Sequence, residues 1–257
     1  MFKIGATSFV YPDHVLPNVE RLAPRVDDIE ILIFDVEEDL PSPADVSRLV
    51  DLKQEHGLSY TVHTPLDASL ASPDERRRQR GVDKVRRALA WARPLAPHGH
   101  PLHVYLGEEE HDPAPPRDLE AWRARAYESL RLICDDGFDP RTLCVELIDY
   151  DFELIRPVID ALDLGVALDV GHLQRDGKAL DEALDRHLPR ARIIQWHGTE
   201  PGGRDHKSLR HLPQNAAEQL IQRLLRDQWP GVLTLEVFNA EDFEESLAIV
   251  QRLSQQR

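Results

Sequence analysis

The 257-residue chain is 41% hydrophobic and 30% charged, the composition of an ordinary soluble globular protein, and its length suits one large α/β barrel or two small domains. Its formal net charge of −15 argues against a nucleic-acid partner, because such binding draws most of its affinity from a basic face that neutralises phosphates. No apolar run approaches the roughly 20 residues of a membrane span, no signal peptide precedes the first strand, and Cys134 and Cys144 have neither CxxC nor zinc-finger spacing. The expectation is a cytoplasmic protein with two reduced core thiols and no membrane partner.

Strand and helix signals alternate along the chain. Phe2 to Ser8 reads as a short strand, and Val15 to Leu22 as a helix ended by Pro24. Ile29 to Phe34 is a second strand. Pro41-Ser42-Pro43 opens a helix from Ala44 to His56, which Gly57 stops. Leu58 to Thr64 is a third strand closed by Pro65, and Asp74 to Arg93 a long basic helix broken by Pro94, Pro97 and Gly99. Pro101 to Leu106 is a fourth strand, followed by an acidic, proline-rich loop from Gly107 to Pro116. A helix from Asp118 to Asp135, a fifth strand from Thr142 to Ile148 and a short helix from Phe152 to Leu162 come next. The apolar run from Leu164 stops at Asp169 and supplies the sixth strand. A helix from Leu180 to His187 leads to the seventh, Ala191 to His197. A glycine-rich loop, a helix from Gln214 to Trp229, an eighth strand from Val232 to Phe238 and a helix from Ala240 to Leu253 complete the chain.

Eight apolar strands, each followed by a helix, imply a parallel sheet closed into a (β/α)8 TIM barrel, a single domain over residues 1–257. A doubly wound open sheet would carry a Gly-rich turn after its first strand, and Gly5-Ala6-Thr7-Ser8 is not GxGxxG.

Polar residues recur inside these strands. His63 ends the third, His103 lies in the fourth, Glu146 in the fifth, Asp169 ends the sixth, His197 ends the seventh and Glu236 lies in the eighth. In a barrel those ends converge on one mouth, where active sites sit. His172 follows in a loop after the sixth strand, and Asp205-His206 after the seventh. Each residue alone has an ordinary reading: a strand histidine hydrogen-bonded in the core, or a strand glutamate facing an arginine. Together they need a source of positive charge, and near the strand ends Lys207 and Arg204 are the main candidates. Divalent metal ions would satisfy the whole group. The basic run Arg76-Arg77-Arg78 with Arg80 reads as the start of a solvated helix, with phosphate binding near the third strand's loop as the alternative.

The segments Thr61-Val62-His63-Thr64-Pro65, Leu102-His103, Val145-Glu146, Leu168-Asp169-Val170-Gly171-His172, Gln195-Trp196-His197-Gly198, Asp205-His206 and Leu235-Glu236-Val237 resemble the xylose isomerase-like barrel superfamily, which includes endonuclease IV-type enzymes and sugar isomerases and epimerases. Within it, Cys144 to Glu153, the Asp169 segment and Asp205 to Leu209 are similar to the cobamide-remodelling phosphodiesterases. The resemblance implies a mouth-side metal site with two or three divalent ions, manganese or zinc by ligand type. His63, His103 and Glu146 would hold the first. Glu146 would bridge to a second, completed by Asp169, His197 and Glu236. His172, Asp205 and His206 would hold a third. Endonuclease IV separates its loop Asp and His by one residue, whereas Asp205 and His206 are adjacent, so a turn is needed for both to bind one ion.

The implied reaction is hydrolysis of the nucleotide-loop phosphodiester of a corrinoid, a small-molecule cobamide, to cobinamide phosphate and an α-riboside. Glu146 or Glu236 would take the proton of the attacking water, Lys207 is a further catalytic candidate, and Tyr150 and Phe152 could line the corrinoid or base pocket. Two alternatives share the fold. A sugar isomerase or epimerase needs one ion held by Glu146, Asp169, His197 and Glu236, which leaves His63, His103, His172 and His206 without a role. An apurinic endonuclease would need basic loops to grip a duplex. The loops at Asp35 to Asp39, Glu108 to Asp112 and Asp149 to Glu153 are acidic or neutral. The sequence leaves the oligomeric state open.

Overall fold

The structure is a computed structural model that describes residues 2–38, 40–107, 116–147 and 150–255. Strands β1 (Lys3–Thr7), β2 (Asp28–Leu32), β3 (Ser59–His63), β4 (His100–Leu102), β5 (Leu143–Leu147), β6 (Gly165–Asp169), β7 (Ala191–Trp196) and β8 (Val232–Leu235) form one parallel sheet. The ladder runs β3-β2-β1-β8-β7-β6-β5-β4. Its two ends meet through the backbone. The His98 amide donates to the Tyr60 carbonyl (2.7 Å), Val62 to Gly99 (3.1 Å) and Thr64 to Pro101 (2.9 Å). The sheet therefore closes into the expected barrel.

Helices α1 (Val15–Leu22), α2 (Pro43–His56), α3 (Glu75–Ala92), α4 (Leu119–Cys134), α5 (Arg156–Leu162), α6 (Val170–Arg175), α7 (Leu180–His187), α8 (Gln214–Arg226) and α9 (Ala240–Gln255) follow the strands. Their local signals act as the sequence suggests. Ser42 and Asp45 form a reciprocal capping box on α2, and Gly57 ends that helix at φ 66°, a left-handed conformation that costs glycine nothing. Helix α3 buries Val82, Val85, Ala88, Leu89 and Ala92, a stripe at helical spacing. At its start Arg77 donates to the Ser69 hydroxyl and Arg78 to the Ser72 carbonyl, so these arginines fasten the preceding loop.

Three strands end two or more residues earlier than their apolar runs predict. The second stops at Leu32, the fourth at Leu102 and the eighth at Leu235. Val104, Leu106 and Val237 beyond those ends are buried in the core without belonging to the strands, so burial without ladder pairing gives them strand-like character. The run from Phe152 is a short 3-10 turn, Phe152–Leu154, before α5 begins at Arg156. Helix α8 ends at Arg226, because the chain turns at Gln228 (φ 50°) to bury Trp229, whose indole donates to the Ala191 carbonyl. Most of the acidic loop, residues 108–115, lies outside the described residues, as do Asp39, Ile148 and Asp149.

Asp28 sits wholly buried on β2, and burial pushes its carboxyl up to about 6 despite the Ser59 hydroxyl. The folded protein thus holds a proton that the unfolded chain releases near pH 4, so stability falls as pH rises through about 6. Asp28→Asn removes the buried charge and keeps the shape. It should stabilise the protein by ~1–3 kcal/mol at pH 8 and by almost nothing at pH 4, read from urea unfolding at both values.

Candidate metal centre

The C-terminal strand ends carry the polar residues as expected, with small shifts of position. His63 and Asp169 are the last residues of β3 and β6, and Glu146 lies in β5. His103, His197 and Glu236 stand one residue beyond β4, β7 and β8, where the backbone begins to leave the barrel wall. His172 lies in helix α6, not in a loop. Asp169 caps that helix by accepting from the His172 amide at 2.8 Å, so one carboxylate ends the strand and starts the helix.

Asp205 and His206 follow β7 on a loop pinched by an antiparallel bridge between Gly198 and Lys207. Within it Gly202 and Gly203 take φ of 106° and 88°, and His206 takes φ of 52°. A non-glycine residue in that region costs about 1–2 kcal/mol and marks a site held in place by its surroundings. A turn is present at the adjacent Asp205 and His206, but it does not bring both into one donor group. It sends His206 toward the inner groups, where its ring lies 4.2 Å from that of His197. Asp205 is left on the far side of His172, with Oδ2 3.3 Å from His172 Nε2.

Among the described residues, donor atoms gather into three groups, each within 4.8 Å: His63, His103 and Glu146; Asp169, His197 and Glu236; and His172, His197 and His206. The first matches the expected ligand set. The second contains the expected residues other than Glu146. In the third, His197 stands where Asp205 was expected.

The outward nitrogens of several imidazoles are tied down. His63 Nδ1 is 2.8 Å from the Thr64 carbonyl, and His206 Nδ1 is 3.2 Å from the Glu236 carbonyl. His103 Nδ1 is 2.6 Å from the Tyr105 hydroxyl, which donates to the Leu66 carbonyl and so accepts from His103. His197 Nδ1 lies 3.1 Å from the Gly198 carbonyl and 3.1 Å from the His206 amide. At His103 and His206, donation from Nδ1 leaves Nε2 with a lone pair, the arrangement typical of metal-ligating histidines, whereas His197 Nδ1 meets both a carbonyl and the His206 N–H donor, and His63 beside Glu146 carries a proton that a metal would displace. His103 Nε2, Asp169 Oδ2, His172 Nδ1, His197 Nε2 and Glu236 Oε2 are buried without a hydrogen-bond partner among the described residues. All three of these nitrogens lie close to a carboxylate, His172 Nδ1 at 2.6 Å from Asp169 Oδ2, His103 Nε2 at 3.1 Å from Glu146 Oε2 and His197 Nε2 at 3.6 Å from Asp169 Oδ1, but none of the contacts has the geometry of a hydrogen bond. Unsatisfied donors and acceptors in such number are costly, and a divalent cation answers all of them. The residues present fit such ions.

The electrostatics are divided. Burial would raise the Glu146 carboxyl, but the imidazoles of His103 and His63 overcome it and hold it well below the usual range. Burial would likewise lower His63, but Glu146 at 2.9 Å raises it to about 9. Glu236 is pushed well above the usual carboxylate range by burial and then by Asp169, Glu146 and Glu30. One carboxyl is thus kept ionised and another protonated in the same mouth, a common pattern at reactive sites.

A cavity of about 620 Å³ opens over these groups. Phe34 and Phe238 line it at 43% and 39% exposure. Of the other expected site residues, Lys207 Nζ lies 3.6 Å from Asp242 and does not line this cavity. Arg204 pairs with Glu200. Tyr150 and Phe152 line a separate cavity of about 560 Å³ with Leu173, Lys178 and His187. None of Arg76, Arg77, Arg78 and Arg80 lines the mouth.

Three residues were missed. Glu30 on β2 is fully buried inside the barrel, pushed up to about 7 by burial, and accepts from Gln195 Nε2 at 3.2 Å. Gln195 Nε2 is also 3.5 Å from Glu146 Oε2, so its amide lies between the two carboxyls. Arg175 lines the mouth cavity and pairs with Asp205. A charged residue inside the apolar run Ile29-Glu30-Ile31 was the available signal for the first. The Asp169 cap that starts a helix was the signal for Arg175.

An uncharacterized protein of Methanocaldococcus jannaschii is 23% identical to the chain over 274 residues, covering 97% of this chain and 88% of the relative. Among solved structures, a D-tagatose 3-epimerase-like protein superposes with a TM-score of 0.78 at 22% identity, covering 98% of this chain and 97% of the other. Endonuclease IV from Thermus thermophilus does so with a TM-score of 0.73 at 20% identity, covering 99% and 100%. At such identity these two structures carry the barrel fold alone. The family profile described as xylose isomerase-like TIM barrel matches residues 26–253, nearly every strand and helix that builds the mouth, and the chain belongs to that family.

Proposed function

We propose that the protein is a metal-dependent phosphodiester hydrolase, acting on the nucleotide-loop phosphodiester of cobamides. The observation that carries this reading is the donor set. His63, His103, His172 and His206 converge on the mouth beyond the four residues that a one-ion epimerase uses. Two or three divalent ions, manganese or zinc by ligand type, would supply Lewis acidity and neutralise charge on the departing oxygen. His63, His103 and Glu146 would hold one ion, and Asp169, His197 and Glu236 a second. His172 and His206, with Asp205 or His197, would hold a third. Glu146 or Glu236, both lining the mouth, would take the proton of the attacking water in its ionised form. Phe34 and Phe238 at the rim give a large planar substrate apolar surface to rest on. Tyr150 and Phe152 line a separate cavity that shares no lining residue with the mouth.

The test is incubation of metal-reconstituted protein with adenosylcobalamin, abasic duplex DNA and a ketohexose in parallel, followed by product separation. Cobinamide phosphate and an α-riboside are expected from the first, and no change in the others. An intact cobamide beside a cleaved duplex or an epimerised sugar would overturn the assignment.

A further inference from the structure

We propose that Arg175 is the anion-recognition residue of this cavity, with its guanidinium binding a non-bridging oxygen of the substrate's phosphate. In the substrate-free protein Asp205 occupies that place. The substrate class rests on the phosphodiesterase reading above; the role of Arg175 rests on its surroundings.

The mouth is lined by Glu146, Asp205 and Glu236, with Asp169 buried beside them. A phosphate entering among carboxylates needs positive charge from ions and from side chains. Arg175 is the one lysine or arginine that lines the cavity among the described residues. It closes α6, three residues after His172, so the two side chains share a face of one helical turn. The guanidinium and a metal-competent imidazole are therefore set on one rigid element.

Arg175 is also already aimed. Its Nε is 2.9 Å from Asp176 Oδ1, which fixes one edge of the guanidinium. A terminal nitrogen is 2.8 Å from Asp205 Oδ2. That same oxygen is 3.3 Å from His172 Nε2. One carboxylate oxygen thus rests between a guanidinium and an imidazole of the third donor group. A phosphate oxygen that meets both an arginine and a metal-bearing group would occupy the same kind of position, and guanidinium groups match carboxylate and phosphate by the same geometry. Asp205 moving onto an ion would release Arg175 for the phosphate. A neutral sugar would offer this cation hydrogen bonds but no compensating charge, so Arg175 would favour phosphodiesters over neutral sugars.

Arg175→Met and Arg175→Lys test the assignment in the metal-loaded protein. Inorganic phosphate binding is measured by calorimetry, metal content by elemental analysis, and KM and kcat on the phosphodiester that is cleaved. In Arg175→Met, metal content should match the parent, while the phosphate Kd and the substrate KM rise by about 10- to 100-fold, the scale of a lost charged hydrogen bond. Arg175→Lys should recover part of both, because it keeps the charge and loses the fork. Unchanged phosphate affinity in Arg175→Met at equal metal content overturns the proposal. So does loss of metal from both variants, which would make Arg175 a strut for Asp205. The phosphate measurement needs no substrate, so intact cobamide with Arg175-dependent phosphate binding removes the cobamide reading and leaves this one standing.

Discussion

Replacing Glu146 by Gln should empty the first donor group and lower turnover by at least about 100-fold, since even residues that only support a metal ligand cost 10- to 100-fold when changed. Glu146 Oε2 lies 2.9 Å from His63 Nε2 and 3.1 Å from His103 Nε2, so this single oxygen anchors the group. The amide has the same volume, and the barrel should remain intact. A second readout follows from charge. In the metal-free protein, burial lowers the His63 pKa but the Glu146 carboxylate raises it to about 9. A raised histidine contributes stability that is fully present below its unfolded value near 6.5 and is lost as pH rises through about 9. Without the carboxylate that contribution disappears. Metal-free wild type should therefore lose stability between about pH 6.5 and pH 9 relative to Glu146→Gln. Elemental analysis and urea unfolding at pH 6 and pH 9 check both halves. A variant with full metal content and full turnover would remove Glu146 from the centre.

Gly171→Ala should behave like a ligand mutation although glycine ligates nothing. A Cβ at Gly171 would lie 2.4 Å from His197 Cδ2, 2.5 Å from Nε2 and 2.7 Å from Cε1. Contacts this short force the fully buried His197 ring away. Overpacking of this kind costs about 1–3 kcal/mol of stability. The larger effect is on the centre, because His197 belongs to two of the three donor groups. Bound metal should fall to what the His63, His103 and Glu146 group holds alone, with turnover reduced by about 100-fold or more. Metal stoichiometry and a thermal melt separate the outcomes. Full metal content in a folded Gly171→Ala would show that the glycine is not there to seat His197.

The barrel is legible in the sequence because each strand–helix unit carries its own punctuation, such as Pro43 and Gly57 around α2. Strand ends are not, since Val104 and Val237 are buried in the core beyond the ladder and resemble ladder residues in sequence. The donors are legible from their recurrence on consecutive strand ends. Their grouping is not, because the third group depends on the φ of one residue, His206, which no spacing encodes. Glu30 reads as an ordinary strand residue, although a lone carboxylate within an apolar run marks either a strained core or a polar barrel floor. Arg175 needs α6 to be known as a helix before its three-residue offset from His172 places both on one face.

The double membership of His197 sets a hierarchy of occupancy. One imidazole nitrogen carries one lone pair toward a metal, and two donor groups include this residue. If both groups held an ion, His197 could serve only one of them, and the other would need an oxygen from outside its group. Asp205, 3.3 Å from His172, would be in reach. Such a shift would draw Asp205 away from Arg175. Metal loading would then be coupled to whether the guanidinium is held or released, and a partly loaded centre would be chemically a different receptor from a full one.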